Sequence, residues 1–397
     1  MSTGAARWVV VPVAEQPGGG WVDEVLRQRL RESPMPGLAD PDVPVPRLRV
    51  EVVRAADPDA EAAERFLRRG WTDGLPIVVP TTGRVRAMLE RSPWPATHAF
   101  GEMEPLRGVA TVERIAANAV MAGCAPAHFP VVLAAVRALL DPAFTLRGVQ
   151  TTDENVTPLS IVSGPVAARI GLNGGIGALG PGWRANACIG RALRLVMSNV
   201  GGGWPGVVSM AGIGQPGRYT LCVGENDAAS PWPPLARDLG HPEGTSTVTV
   251  MRAESAINVT GDLDDVAWTM SGASSLFSVL HGGRVAVLLA PHVARGAAAR
   301  GLDRAGVARW LHAHARVDGE AWRRSWLARQ VATTYGVPGW VERALADTGR
   351  VPIVETPEDI VVFVAGADVP IPQNVFFPAW GFPPASVTVP VLEAPAA

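Results

Sequence analysis

Lysine is absent from this sequence of 397 residues, and all 35 of its basic residues are arginine. Catalysis through a Schiff base needs a lysine amine, and so does the attachment of pyridoxal phosphate. The Walker A phosphate loop needs a lysine in its GK[ST] motif. The absence of lysine therefore excludes these three classes of site from the chain.

Other features are also scarce. The formal net charge of −2 gives no basic surface of the kind that binds nucleic acid. No apolar run approaches about 18 residues, and the N-terminus does not resemble a signal peptide. The three cysteines are far apart and form no CxxC motif, which is typical of a reducing compartment. We therefore expect a cytoplasmic protein that binds neither nucleic acid nor a membrane.

Apolar segments alternate with helical ones, which predicts an α/β fold of mixed strands and helices. Thr111 is the predicted cap of a helix that ends at Gly123. The apolar segment 159–162 is followed by Pro165 and a helix, and the segment 284–291, which ends in Pro291, is followed by a second helix; this pattern is consistent with an internal duplication. Residues 1–56 read as an N-terminal extension or small lobe, and residues 57–397 as the core. That core is interpreted as one unit or as two α/β halves, near 57–250 and 251–397.

A glycine-rich loop precedes the most polar helix, with seven glycines from Gly171 to Gly190. The loop does not match GxGxxG and lacks the acidic residue of a ribose site, so a dinucleotide site is not favoured. Glycine there indicates positive φ or a close approach of backbones. A guanidinium fork for a carboxylate or phosphate would be formed by Arg184 and Arg191, with Arg194 between their turns. Alternatively, they pair with acidic residues or face solvent.

The three cysteines differ in their sequence settings. Cys188 lies within an apolar helical face and is most simply a small core residue. Cys222 lies in a predicted strand that ends at Glu225, where α/β folds place functional loops. Cys124 lies at a helix C-terminus, where the helix dipole opposes thiolate formation. For each of them, the alternative is a buried and inert side chain.

Acid–base and metal chemistry have fewer candidates. Glu113, in the first turn of the helix that carries Asn118, is a candidate acid or base. The sequence contains no GxSxG motif, and its seven scattered histidines do not favour a metal site. His312 and His314 are two residues apart and therefore lie on different faces of a helix.

Several blocks, in the order given, resemble the large proteins associated with the UGSC family of (seleno)proteins. The resemblance runs from about Ala60 to Val391. The blocks are WTDGLPIVVPTTGRVRAML (71–89), VERIAANAVMAGCAPAHFPVVLAAV (112–136), RGVQTT (147–152), GPGWRANACIGRALRL (180–195), GQPGRYTLCVGEN (214–226), SPWPPL (230–235) and PEDIVVFVAGA (357–367).

The resemblance implies redox chemistry, because UGSC is a selenocysteine-or-cysteine motif. This chain contains neither UGSC nor CGSC, so a UGSC-type or thioredoxin-like partner would supply the dithiol. The family pattern has cysteine at Cys124 and Cys222 but threonine at Cys188. This chain also departs from the family where Ile213 replaces a histidine and where segment 255–262 lacks one, which weakens a Cys–His nucleophile.

Together these features predict an enzyme, or a catalytic-complex subunit, that uses cysteine thiol chemistry on a small anionic substrate. The chemistry would be reductive or would act on a C–S bond. No cofactor is predicted. We also expect the protein to form a homo-oligomer. The alternatives are a carboxylate-driven lyase or hydrolase, and a non-catalytic binding or scaffold subunit of a UGSC-type redox complex. The candidate catalytic residues are Cys124, Cys222, Glu225 and Glu113. The candidate substrate-binding residues are Arg184, Asn186, Arg191, Asn173, Gln215, Tyr219, Asn118 and Gln150.

Overall fold

A computed structural model describes residues 6–10, 50–272, 278, 283–381 and 385–394. In these residues the helices are α1 (Pro58–Arg68), α2 (Thr82–Leu89), α3 (Val112–Met121), α4 (Phe129–Leu140), α5 (Leu146–Thr151), α6 (Val166–Arg169), α7 (Arg184–Asn199), α8 (Leu235–Asp238), α9 (Leu263–Met270), α10 (Pro291–Ala299), α11 (Arg304–His314), α12 (Gly319–Arg324), α13 (Ala332–Tyr335) and α14 (Gly339–Thr348). The strands are β1 (Ala6–Val10), β2 (Val50–Arg54), β3 (Ala99–Met103), β4 (Gly108–Thr111), β5 (Thr157–Ser163), β6 (Cys222–Gly224), β7 (Thr247–Ala253), β8 (Ile257–Thr260), β9 (Val285–Leu289), β10 (Arg316–Asp318), β11 (Arg350–Pro352), β12 (Ile360–Val364), β13 (Gln373–Phe377) and β14 (Ser386–Pro390).

Two mixed four-stranded sheets organise the chain. Sheet 1 has the order β14-β7-β5-β6, and sheet 2 has the order β12-β9-β13-β8. In each sheet one pair is parallel, β5 with β6 and β9 with β12, and the other pairs are antiparallel. The α/β class with mixed strands is therefore confirmed. Most of the predicted N-terminal extension lies outside the described residues, but β1 pairs with β2.

The two sheets share one plan. Each has an edge strand parallel to a central strand, and the central strand is followed by a proline and a helix, at Pro165 after β5 and at Pro291 after β9. Strand β8 follows β7 in the chain but joins sheet 2, and β14 follows β13 but joins sheet 1. The internal duplication and the division into two halves remain predictions, and a boundary near residue 250 would fall inside β7.

Alternation of side chains along the strands builds four layers. In β9, Ala286 and Leu288 pack in the apolar cluster between the sheets, against residues of β5, β7 and β12. Val285, Val287 and Leu289 of the same strand face α9, α10 and α11. The outer face of sheet 1 packs in the same way on α3, α4 and α7. Because β9 is buried on both faces, its sequence is a continuous apolar run.

The carboxyl ends of the two parallel pairs meet. Asn226, two residues after β6, donates its backbone N–H to Val364 O (2.8 Å) and its side-chain amide to Gly366 O (3.0 Å). The Gly366 N–H donates in turn to Gly174 O in the glycine-rich loop (2.7 Å). The loop is thus fixed at the ends of β6 and β12. In the described part of the chain, no helix is both long enough and apolar enough to cross a bilayer.

Candidate functional site

The glycine-rich loop is fastened by an asparagine in the first turn of α7. Asn186 Oδ1 accepts the backbone N–H of Asn173 (2.8 Å), and Asn186 Nδ2 donates to the carbonyl oxygens of Asn173 (2.8 Å) and Ala178 (3.1 Å). A Cβ on Gly174 would lie 2.6 Å from a carbonyl oxygen at the end of β6, so this position requires glycine. The loop, helix α7 and the strand of Cys222 are in contact. The amides of Asn173 and Asn186 hold the loop itself.

The two arginines predicted to form a fork have separate partners. Arg191 makes a bidentate ion pair with Asp73, with distances of 2.7 Å from Nε to Oδ2 and 2.8 Å from Nη2 to Oδ1. The side chains of Arg191 and Asp73 are 14% and 6% exposed. Arg184 Nε instead donates to Gly123 O (2.9 Å). The Arg191 guanidinium is therefore occupied by an ion pair, which joins α7 to the loop before α2.

A third arginine of α7, Arg194, lies beside Arg218 of the short 3₁₀ helix Pro216–Arg218. Arg194 Nε donates to the Arg218 carbonyl oxygen (3.0 Å), and Arg218 Nη2 donates to Ser209 Oγ (2.7 Å). Both residues line a pocket with about 10 Å³ of free space, room for about one water molecule. We call it the arginine pocket. Its other walls are Thr157, Pro158, Gly190, Leu193, Met197, Gly217 and Leu221.

The arginine pocket has positive charge without a paired carboxylate. Within the described residues, no carboxylate oxygen lies within 4.0 Å of the Arg194 or Arg218 guanidinium nitrogens. Burial, and then the charge of Arg218, lower the pKa of Arg194 to about 9. Burial also lowers the pKa of Arg218, against the attraction of Glu254. The charge of the half-buried Arg218 repels the buried Arg194 guanidinium, and a bound anion would offset that cost.

Glu254, directly after β7, has a carboxyl group that titrates near neutral pH. Burial, and then the negative charge of Glu154, raise the pKa of Glu254 to about 7. Burial and the charge of Asp153 also raise the pKa of Glu154. Glu254 Oε1 is buried and has no hydrogen-bond partner among the described residues. The negative charge of Glu154 disfavours the ionised form of Glu254, so Glu254 exchanges its proton near neutral pH.

Gln215 connects this carboxyl group to the arginine pocket. Its Nε2 donates to the carbonyl oxygens of Asn155 (3.0 Å), Ala253 (3.2 Å) and Glu254 (2.5 Å). Ala253 pairs across sheet 1 with Thr157, which is a wall of the pocket. Gln215, a predicted substrate-binding residue, uses its amide nitrogen within the protein to position the backbone of Glu254.

The three cysteines lie near one another in the fold. Cys124 Sγ donates to the carbonyl oxygen of Cys188 at 3.3 Å, and Cys124 and Cys222 are both buried. Burial raises the pKa of Cys222 to about 12. Burial, followed by the charges of Cys188 and Cys222, raises the pKa of Cys124 well above its usual value. The pKa of the half-buried Cys188 is raised by burial, against the charge of Arg184. The predicted nucleophiles are therefore neutral thiols at physiological pH.

Glu225, a predicted proton-transfer residue, is enclosed at the end of β6. Its Oε1 accepts from Arg304 Nη2 (2.7 Å), and its Oε2 accepts from Ser163 Oγ (2.6 Å) and the Leu235 N–H (2.8 Å). Burial raises the pKa of Glu225 to about 7, against the charge of Arg304. Its side chain has 0% exposure, so a substrate cannot touch it in this conformation.

The remaining predicted site residues are not walls of the arginine pocket. Glu113 and Gln150 are buried, at 7% and 1% exposure. Asn118 is fully buried, and its Oδ1 accepts a hydrogen bond from Asn199 Nδ2 (2.7 Å). Tyr219 is 49% exposed. Gln215 thus lies close to the pocket, whereas Glu113, Gln150, Asn118 and Tyr219 do not line it.

Sequence reasoning missed Arg218, Glu154 and Glu254. Glu254 comes directly after an apolar strand, a position where α/β folds place functional groups, and that signal could have identified it. Arg218 stands in the quoted block GQPGRYTLCVGEN, but its proximity to Arg194 is a tertiary contact across 24 residues. No local pattern reports such a contact.

No group of three or more His, Cys, Asp and Glu side chains could hold a metal ion within the described ranges. Comparisons with models of protein families, with curated proteins and with solved structures gave no match. The residues around the arginine pocket are therefore the basis for a functional inference.

Proposed function

We propose that this protein is an enzyme of the lyase or hydrolase class that uses carboxyl acid–base chemistry on a small polar molecule. The observation that carries the proposal is Glu254, whose carboxyl group has a pKa of about 7 beside the arginine pocket. A proton-transfer group works best when its pKa lies near the operating pH. Glu254 would therefore be populated both as an acid and as a base under physiological conditions.

The neighbours of Glu254 provide complementary roles. Glu154 supports the raised pKa, because its negative charge disfavours ionisation of Glu254. Arg218 has its positive charge close enough to act on Glu254, and would stabilise negative charge that develops on a substrate. Gln215 fixes the backbone that carries the glutamate, which limits its movement relative to the pocket.

The test is a search for turnover that depends on Glu254. The protein is incubated in D₂O with short hydroxy acids, oxo acids and amides, and proton NMR follows the loss or deuteration of each compound. We expect the wild type to convert at least one compound, and Glu254→Gln to slow that conversion by about 10²–10⁴-fold. Glu243→Gln, at an exposed glutamate, is the control and retains the wild-type rate. Equal rates for wild type and Glu254→Gln would refute the proposal.

Thiol chemistry is the second candidate, favoured by the proximity of the three cysteines. We propose it as reductive or C–S bond chemistry at Cys124 or Cys222, with the resemblance supporting a UGSC-type or thioredoxin-like partner. Since both thiols are buried and neutral, a conformational change would have to expose them. Loss of substrate conversion in Cys124→Ser or Cys222→Ser, with Glu254→Gln fully active, would favour this candidate over the first. Assembly as a homo-oligomer and a cytoplasmic location remain predictions.

A further inference from the structure

Arg194 is a buried cation whose hydrogen-bonding capacity is largely unused. The side chain is 9% exposed, and its one hydrogen bond with the described residues runs from Nε to the Arg218 carbonyl oxygen. Asp73 is the carboxylate that acts favourably on Arg194 through its charge, but it is bound bidentately by Arg191. Both Nη nitrogens of Arg194 are thus left with donors for a group that enters the pocket.

Arg218 also lines the pocket, and its positive charge acts on Arg194. Its Nη2 donates to Ser209 Oγ at 2.7 Å, which fixes the orientation of the group. A buried charge without a partner is costly, and the positive charge of the nearby Arg218 adds repulsion to that cost at Arg194. Their adjacency in a lined pocket, with no carboxylate within 4.0 Å in the described residues, is the geometry of a site for an oxyanion.

We propose that Arg194 and Arg218 form a subsite for the carboxylate of a short organic acid, one oxygen of which would take the place of the single water molecule that the pocket has room for. The inference rests on the proposed acid–base function and names the class of its substrate. Leu193, Met197 and Leu221 supply apolar walls, so the guanidinium groups provide the charged donors of the pocket. Because the free space holds about one water molecule, the planar carboxylate can place one oxygen there, whereas the tetrahedral phosphate and sulfate ions are bulkier.

The charge balance also favours a monoanion. Two arginines contribute two positive charges, and Glu254 in its ionised form contributes one negative charge near Arg218. One unit of positive charge then remains, which a carboxylate neutralises. A dianion would leave an excess negative charge in a site where charge is poorly solvated.

The experiment measures anion binding by isothermal titration of the full chain with propionate, inorganic sulfate and inorganic phosphate at low ionic strength. We expect saturable propionate binding that is tighter than that of either inorganic anion. Arg218→Met and Arg194→Met should each weaken propionate binding by about 10-fold to 100-fold, the range for hydrogen bonds to a charged group. Arg184→Met is the matched control on α7. Its guanidinium donates to Gly123 O outside the pocket, so propionate affinity should not change.

Absence of saturable propionate binding, or wild-type affinity in Arg218→Met, would overturn the subsite. Tighter binding of sulfate or phosphate than of propionate would overturn its assignment to carboxylates. If Arg194→Met does not fold, Arg218→Met decides the question, because that side chain is only half-buried. Glu254→Gln should retain propionate binding. If Glu254→Gln loses turnover but still binds propionate, the acid–base function and the carboxylate subsite are separate properties. Either proposal can then be refuted without the other.

Discussion

Arg194 Nε donates a hydrogen bond to the carbonyl oxygen of Arg218 at 3.0 Å, so two arginines meet within one small pocket. Arg191, one turn earlier on the same helix, has a carboxylate partner in Asp73. The two arginine charges therefore contribute differently to stability, because a buried charge is stabilised by a partner and is costly without one. Substitution of the two arginines should therefore change stability in different directions.

Replacing Arg194 by methionine should not destabilise the ligand-free protein. The substitution removes an unpaired, desolvated charge and retains an apolar chain that packs in the pocket. We expect the free energy of unfolding to stay equal or to rise by about 1–3 kcal/mol. Arg191→Met, by contrast, leaves Asp73 without its partner and should cost about 3–5 kcal/mol. Urea denaturation measures both, and equal losses in the two variants would contradict the unpaired state of Arg194.

Glu254→Gln should alter how stability depends on pH. The pKa of Glu254 is raised from 4.5 to about 7, so between these values the folded protein holds a proton that the unfolded chain has released. This contribution to the free energy of unfolding is fully present below pH 4.5 and is lost as the pH rises through about 7. The stability of the variant relative to wild type should therefore increase with pH, by up to about 1.4 kcal/mol per pH unit.

Urea denaturation at pH 5, 6, 7 and 8 measures this difference. Glu225 also has a raised pKa of about 7, but it is present in both proteins and cancels in the comparison. Glu243→Gln, at an exposed position, provides the control. A constant difference between wild type and Glu254→Gln across this range would show that Glu254 titrates normally.

Asn186→Ala should release the glycine-rich loop. The substitution removes three hydrogen bonds to Asn173 and Ala178, two of them to backbone carbonyls that would stay without these donors. We expect a loss of about 1–3 kcal/mol and faster hydrogen exchange confined mainly to residues 171–183. Mass spectrometry of exchanged peptides measures this. Asn258→Ala, at an exposed position, is the control, and unchanged exchange in Asn186→Ala would contradict the role of Asn186 in holding the loop.

The thiols should react in a defined order with iodoacetamide at pH 7.5. Cys188 is half-buried and Cys124 and Cys222 are buried; burial raises the pKa of all three thiols, most strongly for the two buried ones. Alkylation requires the thiolate, so Cys188 should be modified first and the other two should react mainly after unfolding. Peptide mapping over time identifies the modified residue. Rapid modification of Cys222 in the native protein would instead support the thiol mechanism.

The sequence by itself determined the local elements. Thr111 was predicted as a helix cap, and its Oγ1 accepts the Arg114 N–H at 3.3 Å at the start of α3. The two strand–proline–helix segments were also predicted, and they correspond to β5 with Pro165 and to β9 with α10. Such features are readable because a cap or a buried strand depends on residues close together in the chain. The four-layer arrangement of the sheets is not readable in this way, since it depends on pairings across more than 100 residues.

Only the tertiary structure decided which residues form the candidate site. Arg191 and Arg194 are three residues apart and chemically identical, yet one faces Asp73 and the other faces Arg218. The pKa of Glu254 likewise depends on burial and on Glu154, which is 100 residues away in the chain. Charge state follows desolvation and the distances to other charges, and folding alone sets both. The sequence could therefore indicate an arginine-rich helix, but it could not say which arginine remained available for a ligand.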